Sequence, residues 1–333
     1  MGVVHDADPP NRETSLGELD AGAAGPLYVR CNFAIPELDP SSWTLAVDGL
    51  LDRPATLDVD ALHALPFVER HVLLECAGNG RSLMDPVPSG IPWGLGAVGV
   101  ARFGGAPLAA LLDQCAVDAG ATEFVFTGAD RGMVAGREIP YAFSLERDLA
   151  LTDGPLLAWT MNAEPLAPEH GHPVRLVVPG QYGMRSVKWL TRITAVDRPF
   201  DGHFRERYRY RGQHGVPDGA PVGAIRVRSL ILAPAANERL AGPTIEVRGI
   251  AWSGQGPVRG VEVELDGRWM PAELDASTEP ALWRLTWTPP GPGSYEVAAR
   301  ATDAAGATQP ESPVWNAGGY GNNVVHRIRV RVG

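Results

Sequence analysis

Cysteine is scarce in this chain. Cys31, Cys76 and Cys115 are all it has in 333 residues, and no two are spaced as a CxxC pair. That argues against a disulfide framework and against a cysteine-rich zinc or iron–sulfur site. Long apolar runs are missing as well, and none is long enough to span a bilayer. The first twenty residues, MGVVHDADPPNRETSLGELD, are polar and acidic, with no apolar signal core and no twin-arginine pair. The expected location is the cytoplasm, or the periplasm if a leader has been removed. Positive charge is in short supply, with 29 Lys and Arg against 39 Asp and Glu, a net charge of −10. A nucleic-acid or anionic-membrane partner is therefore not expected. An acidic chain that handles an anionic substrate needs a local cluster of arginines to reverse the field.

Two familiar catalytic contexts are also absent. No GxSxG elbow occurs. Gly94-Leu95-Gly96-Ala97-Val98-Gly99 fits a GxGxxG string, but it follows a proline-rich loop rather than a strand, so it lacks a dinucleotide-binding setting. The length suggests two domains, and an apolar content of 44% is enough for packed interiors.

What is present centres on FVERHVLLECAGNGRSLMD, residues 67–85. An apolar, strand-like run, Val72 to Leu74, breaks into Glu75-Cys76-Ala77-Gly78-Asn79-Gly80-Arg81. Such a strand delivers a thiol to the mouth of a fold. Gly78 and Gly80 let backbone approach whatever the sulfur binds, and Arg81 favours thiolate. A thiolate is a ligand for soft metals. A buried structural cysteine beside a tight turn fits the local pattern equally well.

Along the rest of the chain, residues 1–25 read as a loose arm with Pro9-Pro10 and the small-residue run Ala21 to Gly25. Tyr28-Val29-Arg30-Cys31-Asn32 lies in an extended segment ending at Pro36, and a guanidinium inside it requires an anion. Thr44–Gly49 reads as a strand, Val59–Leu65 as a short helix, and Trp93 ends a proline-rich loop where packing is its ordinary use. Pro107–Gln114 reads as a helix ending at a core thiol, Cys115. Glu123–Thr127 reads as a strand and Asp130 as a turn residue after it. Leu156–Met161 and Leu176–Gly180 read as strands. His170 and His172 have no third ligand at metal spacing. Arg185-Ser186-Val187-Lys188 supplies the mixed donors that phosphate wants, although an ordinary strand with solvated charges is the plain alternative. Phe200–Gly212 is rich in Arg and Tyr, and Pro217 to Pro221 marks a linker. From Ala224 onward short alternating segments recur, at 225–232, 244–251, 258–265, 283–288, 295–301 and 324–332, the spacing of an immunoglobulin-like β-sandwich.

Cys76-Ala77-Gly78-Asn79 resembles the active-site turn of the sulfite oxidase family of molybdopterin-dependent oxidoreductases, and the resemblance covers roughly residues 26–333. It implies an α+β molybdopterin-binding catalytic domain, 26–215, followed by an all-β immunoglobulin-like domain, 224–333, that makes a homodimer. It implies a molybdenum–molybdopterin cofactor with Cys76 as the metal's protein ligand. Arg30, Arg81, Trp93 and Tyr210 fall where that family lines its substrate pocket. Residues 28–32, Asp130, His170, Arg175 and 185–188 fall where it holds the pterin and its phosphate. The implied reaction is oxidation of sulfite to sulfate by oxygen-atom transfer, with electrons passed to a separate acceptor such as a cytochrome. A reductase of nitrate or of an organic S- or N-oxide is the alternative, and a non-catalytic binding protein on the same fold is the alternative of another class. Two departures stand out. Asn32 replaces a histidine. Pro257 follows the turn Trp252-Ser253-Gly254-Gln255-Gly256 where animal sulfite oxidases carry an arginine, with Arg259 two positions on. Loss of one guanidinium from an anion clamp weakens binding by roughly 1.5–3 kcal/mol.

Overall fold

A computed structural model describes residues 2–20 and 25–333. The stretch Ala21 to Ala24 of the expected small-residue run lies outside the described residues. Two sheets build the first domain. In one, strands Glu164–Pro165, Leu156–Met161, Val98–Pro107 and Val68–Glu75 lie side by side, and Arg175–Val177 joins at Leu156–Met161. In the other the order is Ala55–Leu57, Leu45–Gly49, Leu190–Val196, Glu123–Val134 and Arg137–Glu146. Leu190–Val196 runs parallel to Leu45–Gly49. Val72 to Glu75 is buried on both faces of its strand, as a continuous apolar run requires. Helix Leu108–Cys115 buries Leu108, Leu111, Leu112 and Cys115, an i, i+3, i+4, i+7 stripe.

The segment expected to be a loose arm is folded. Val4–Ala7 and Pro10–Arg12 form a hairpin that pairs onward with Val29–Arg30. Ser15 and Glu18 close a capping box on helix Leu16–Leu19. The Glu13 carboxylate accepts from Gly94 N at 2.7 Å and Gly96 N at 2.8 Å. The glycine string is thus an anion cradle filled by the chain's own carboxylate. A Cβ at residue 96 would lie 1.9 Å from the Thr14 carbonyl oxygen, so only glycine fits.

The second domain packs two antiparallel-dominated sheets face to face. One orders Arg228–Ala233, Ile245–Trp252, Ala281–Trp287 and Glu273–Asp275. The other orders Arg239–Leu240, His326–Val332, Gly293–Asp303, Val258–Leu265 and Arg268–Pro271. All six expected segments overlap one of these strands. Val247, Trp283, Val297, Ala299 and Val330 fill the space between the sheets. The apolar interface with the first domain is continuous, since Leu230, Ile250, Trp252 and Tyr320 belong to the first domain's core. Among the described residues no helix is long and apolar enough to cross a membrane.

Candidate active site

Strand Val68–Glu75 ends in register with Val98, and Cys76 N then donates to Ala97 O at 2.8 Å. The turn that follows is shaped by its own residues. Asn79 N donates to Cys76 O at 2.9 Å, and the Asn79 side chain spans the turn, donating to Glu75 Oε1 at 3.0 Å and accepting from Ala97 N at 3.1 Å. Gly80 has φ 81°, a left-handed backbone that favours glycine. At residue 78 a Cβ would meet the Arg81 guanidinium at 2.6–2.8 Å. The result is a half-buried thiol at one wall of a cleft holding about 680 Å³ of space, its open mouth included.

The same cleft is lined by Tyr28, Arg30, Asn32, Asp130, His170, Arg175, Ser186 and Lys188, which the sequence separates by up to 160 residues. Arg30 donates to Asn32 Oδ1 at 2.6 Å and also to the Cys31 carbonyl. Among the described residues Arg175 donates only to carbonyls, of His170 at 3.0 Å, Ser186 at 3.3 Å and Leu176 at 3.4 Å. Lys188 Nζ donates to Glu169 O at 2.7 Å and Cys31 Sγ at 3.2 Å. Among the described residues none of Arg30, Arg175 and Lys188 has a carboxylate in ion-pair contact. Burial lowers Arg175 to about 10 and Lys188 to about 8. It lowers His170 to about 3, helped by Arg175 and Lys188, so this ring is neutral. Asp130 is pushed up to about 7 by burial, against the pull of Lys188, and its Oδ1 has no hydrogen-bond partner. Burial likewise raises the Cys76 thiol, outweighing Arg30 and Arg81. Arg81 alone therefore does not make a thiolate here, and a bound metal would.

Several expected residues lie elsewhere. Asp130 is not in a turn but on a bulge of Glu123–Val134, where the register slips between Thr127 and Arg131. Arg185 faces away and pairs with Glu146 at 2.7 Å. Val29, Cys31 and Val187 are buried and do not line the cleft. Trp93 is 1% exposed, packed with Leu27, Tyr28 and Phe103 and edge-on to His5. Arg81 also lies off the wall, its guanidinium donating to Gly318 O at 2.9 Å and 3.1 Å and to Ile91 O at 2.6 Å. Tyr210 stacks under Arg226 at 4.5 Å. Arg259 is exposed on its strand. In place of Tyr210 the cleft is lined by Tyr208, two residues earlier, and also by Tyr141, Met184 and Trp189. No sequence signal distinguished Tyr208 from Tyr210.

A soft thiol, the buried Arg175 with the half-buried Arg30 and Lys188, none ion-paired among the described residues, and one orphaned carboxyl oxygen suit an anionic organic cofactor that carries a soft metal. Among the described residues no group of three or more His, Cys, Asp and Glu could hold a metal by itself. The protein's own contribution is one thiol and a set of anion donors.

Comparison with known proteins gives this class its chemistry. Residues 32–204 match the oxidoreductase molybdopterin-binding domain, and residues 221–333 match the Mo-co oxidoreductase dimerisation domain. The chain is 34% identical to mitochondrial sulfite oxidase of Homo sapiens over 335 residues, 92% of this chain and 60% of that protein. It is 33% identical to the NAD(P)H nitrate reductase of Hordeum vulgare, covering 92% of this chain and 38% of that protein. The sulfane dehydrogenase SoxCD from Paracoccus pantotrophus superimposes with a TM-score of 0.82 at 26% identity, over 97% of this chain and 85% of that one. The chain thus spans about 60% of its sulfite oxidase relative, and less of the plant enzyme. It belongs to the sulfite oxidase family of molybdopterin-dependent oxidoreductases.

Proposed function

We propose that this protein oxidises sulfite to sulfate. One water is consumed, and two electrons and two protons are released, the electrons passing to a separate carrier such as a cytochrome. The observation that carries this reading is that Cys76 opens into the same cleft as Arg30, Arg175 and Lys188, none of them ion-paired with a carboxylate among the described residues. When bound, the molybdenum–pterin group supplies the two-electron oxygen-transfer chemistry. Cys76 would be its thiolate ligand. Arg175, Lys188, Ser186 and the neutral His170 would hold its phosphate, because several donors converge there in a low-dielectric pocket. Asp130, half-ionised near neutral pH, would meet a ring N–H through its orphaned Oδ1. Arg30 would dock the oxyanion, its guanidinium steered by Asn32, which takes the place of the family's histidine. Arg81, Trp93 and Tyr210 act from behind the wall, Arg81 through its field on Cys76. Arg259, exposed on its strand, is not proposed as a stand-in for the arginine replaced by Pro257. The second domain, read as immunoglobulin-like, would join two chains into a homodimer.

Nitrate reduction is the second reading, favoured by the identity with the plant nitrate reductase. Protein made in a host that synthesises the pterin separates the two. Ferricyanide reduction driven by sulfite and abolished by Cys76→Ser supports the first reading. Turnover only with nitrate and reduced viologen replaces it with the second.

A further inference from the structure

The turn from Glu75 to Arg81 belongs to the first domain, yet many of its fastenings come from the second. Trp252 Nε1 donates to Glu75 Oε2 at 2.9 Å. Arg228 Nη1 lies 3.2 Å from Glu75 Oε1, with both side chains 2% exposed. Arg228 Nη2 reaches Asn79 O at 3.4 Å, and Asn322 Nδ2 donates to Gly80 O at 2.7 Å. Gly321 N donates to Ala77 O at 2.7 Å, and Gly318 O receives the Arg81 guanidinium. Glu75 is the hub. Its carboxylate takes Trp252, Arg228 and the Asn79 side chain, and its backbone is bonded to the residue that carries the thiol.

Residues 77 and 79–81 on one side of Cys76, and 75 on the other, are therefore each tied across the domain boundary. A sulfur on a turn held this way has one orientation toward the cleft. A metal–sulfur bond requires that orientation, and partners of the residues flanking a ligand set it. We propose that Arg228 and Trp252 are positioning residues for the Cys76 thiol, acting through Glu75 and Asn79, so that the second domain completes the metal site of its own chain. This rests on Cys76 being the metal's ligand. It goes beyond the dimer-forming role, because no second chain takes part.

The test uses full-length protein prepared with and without the cofactor. In the loaded protein the readout is the sulfur-to-metal absorption band. In the cofactor-free protein it is the rate at which iodoacetamide alkylates Cys76, followed by peptide mass spectrometry. In Arg228→Met the band shifts or weakens and alkylation rises roughly tenfold, as a loosened turn opens more often. The double variant Glu75→Gln with Arg228→Gln, which leaves neither charge buried alone, keeps both near the wild-type values, and failure to do so counts against the proposal. Trp252→Phe removes a single donor and decides the matter with the same readouts should Arg228→Met not fold. A melting temperature that falls while the band and the alkylation rate stay at wild-type values overturns the proposal and leaves these residues as cement between domains. Persistence of the band in Cys76→Ser would instead overturn the metal-ligand reading on which it stands.

Discussion

Two sets of buried and half-buried cations in this molecule are treated in opposite ways. At the domain boundary Arg228 faces the Glu75 carboxylate, and within the first domain Arg185 and Arg205 share Glu146 and Glu123. In the cleft Arg175 is buried too and Lys188 is half-buried, but their donors end on carbonyl oxygens and one thiol. Folding alone has no use for the second arrangement, since an uncompensated buried charge costs several kcal/mol. The difference teaches which cations hold the protein together and which are kept for a ligand. Such cations suit an anionic ligand, and under the proposed function that ligand is the pterin phosphate.

The comparison can be broken most sharply at Arg228. Arg228→Met leaves the Glu75 carboxylate buried without its cation and is expected to cost about 3–5 kcal/mol in urea unfolding. A loss under about 1 kcal/mol would place Arg228 with the functional cations instead.

His326, packed near Arg228, sharpens the contrast by being buried in neutral form. Its Nδ1 accepts from Ile231 N at 3.0 Å, and burial, then Arg228, lowers its pKa to about 4 from an ordinary 6.5. With the folded value below the unfolded one, its contribution is complete above about pH 6.5 and is lost as pH falls through 4. The shift corresponds to about 3 kcal/mol. His326→Asn keeps an acceptor and cannot titrate, so its stability should fall less between about pH 7 and pH 4 than that of the wild type, whatever the other groups do.

For the cleft the expected signs are mixed, and that is the point. Arg175→Met or Lys188→Met should weaken cofactor retention roughly 10–100-fold, read as pterin content after dialysis. The same changes should leave the melting temperature of the cofactor-free protein unchanged or raised. Lower cofactor-free stability in both would show that these cations are structural. Least of all is expected from the exposed pair Arg248–Asp20. Arg248→Ala should change stability by less than about 1 kcal/mol.

Much of this was legible in the sequence because the signals are local. The strand into Cys76, the turn glycines and the alternating segments of the second domain each announce themselves within ten residues. What was not legible depends on partners far away in the chain. The first residues look loose because Glu13 finds its donors some eighty residues later, at Gly94 and Gly96. Arg175 and Arg185 are alike in sequence, and only the position of Glu146 makes one a structural ion pair. Tyr208 and Tyr210 differ because Tyr210 is drawn into a short pairing with Ala220 and under Arg226. The bulge that turns Asp130 inward is a property of three strands together.

The most direct measurement is metal and pterin content, with the visible spectrum, of wild-type protein and Cys76→Ser made side by side in a pterin-competent host. The account predicts about one molybdenum per wild-type chain and a sulfur-to-metal band, and in Cys76→Ser loss of that band with the pterin still held by the cations of the cleft. An unchanged band in Cys76→Ser, or wild-type protein free of molybdenum, would contradict it.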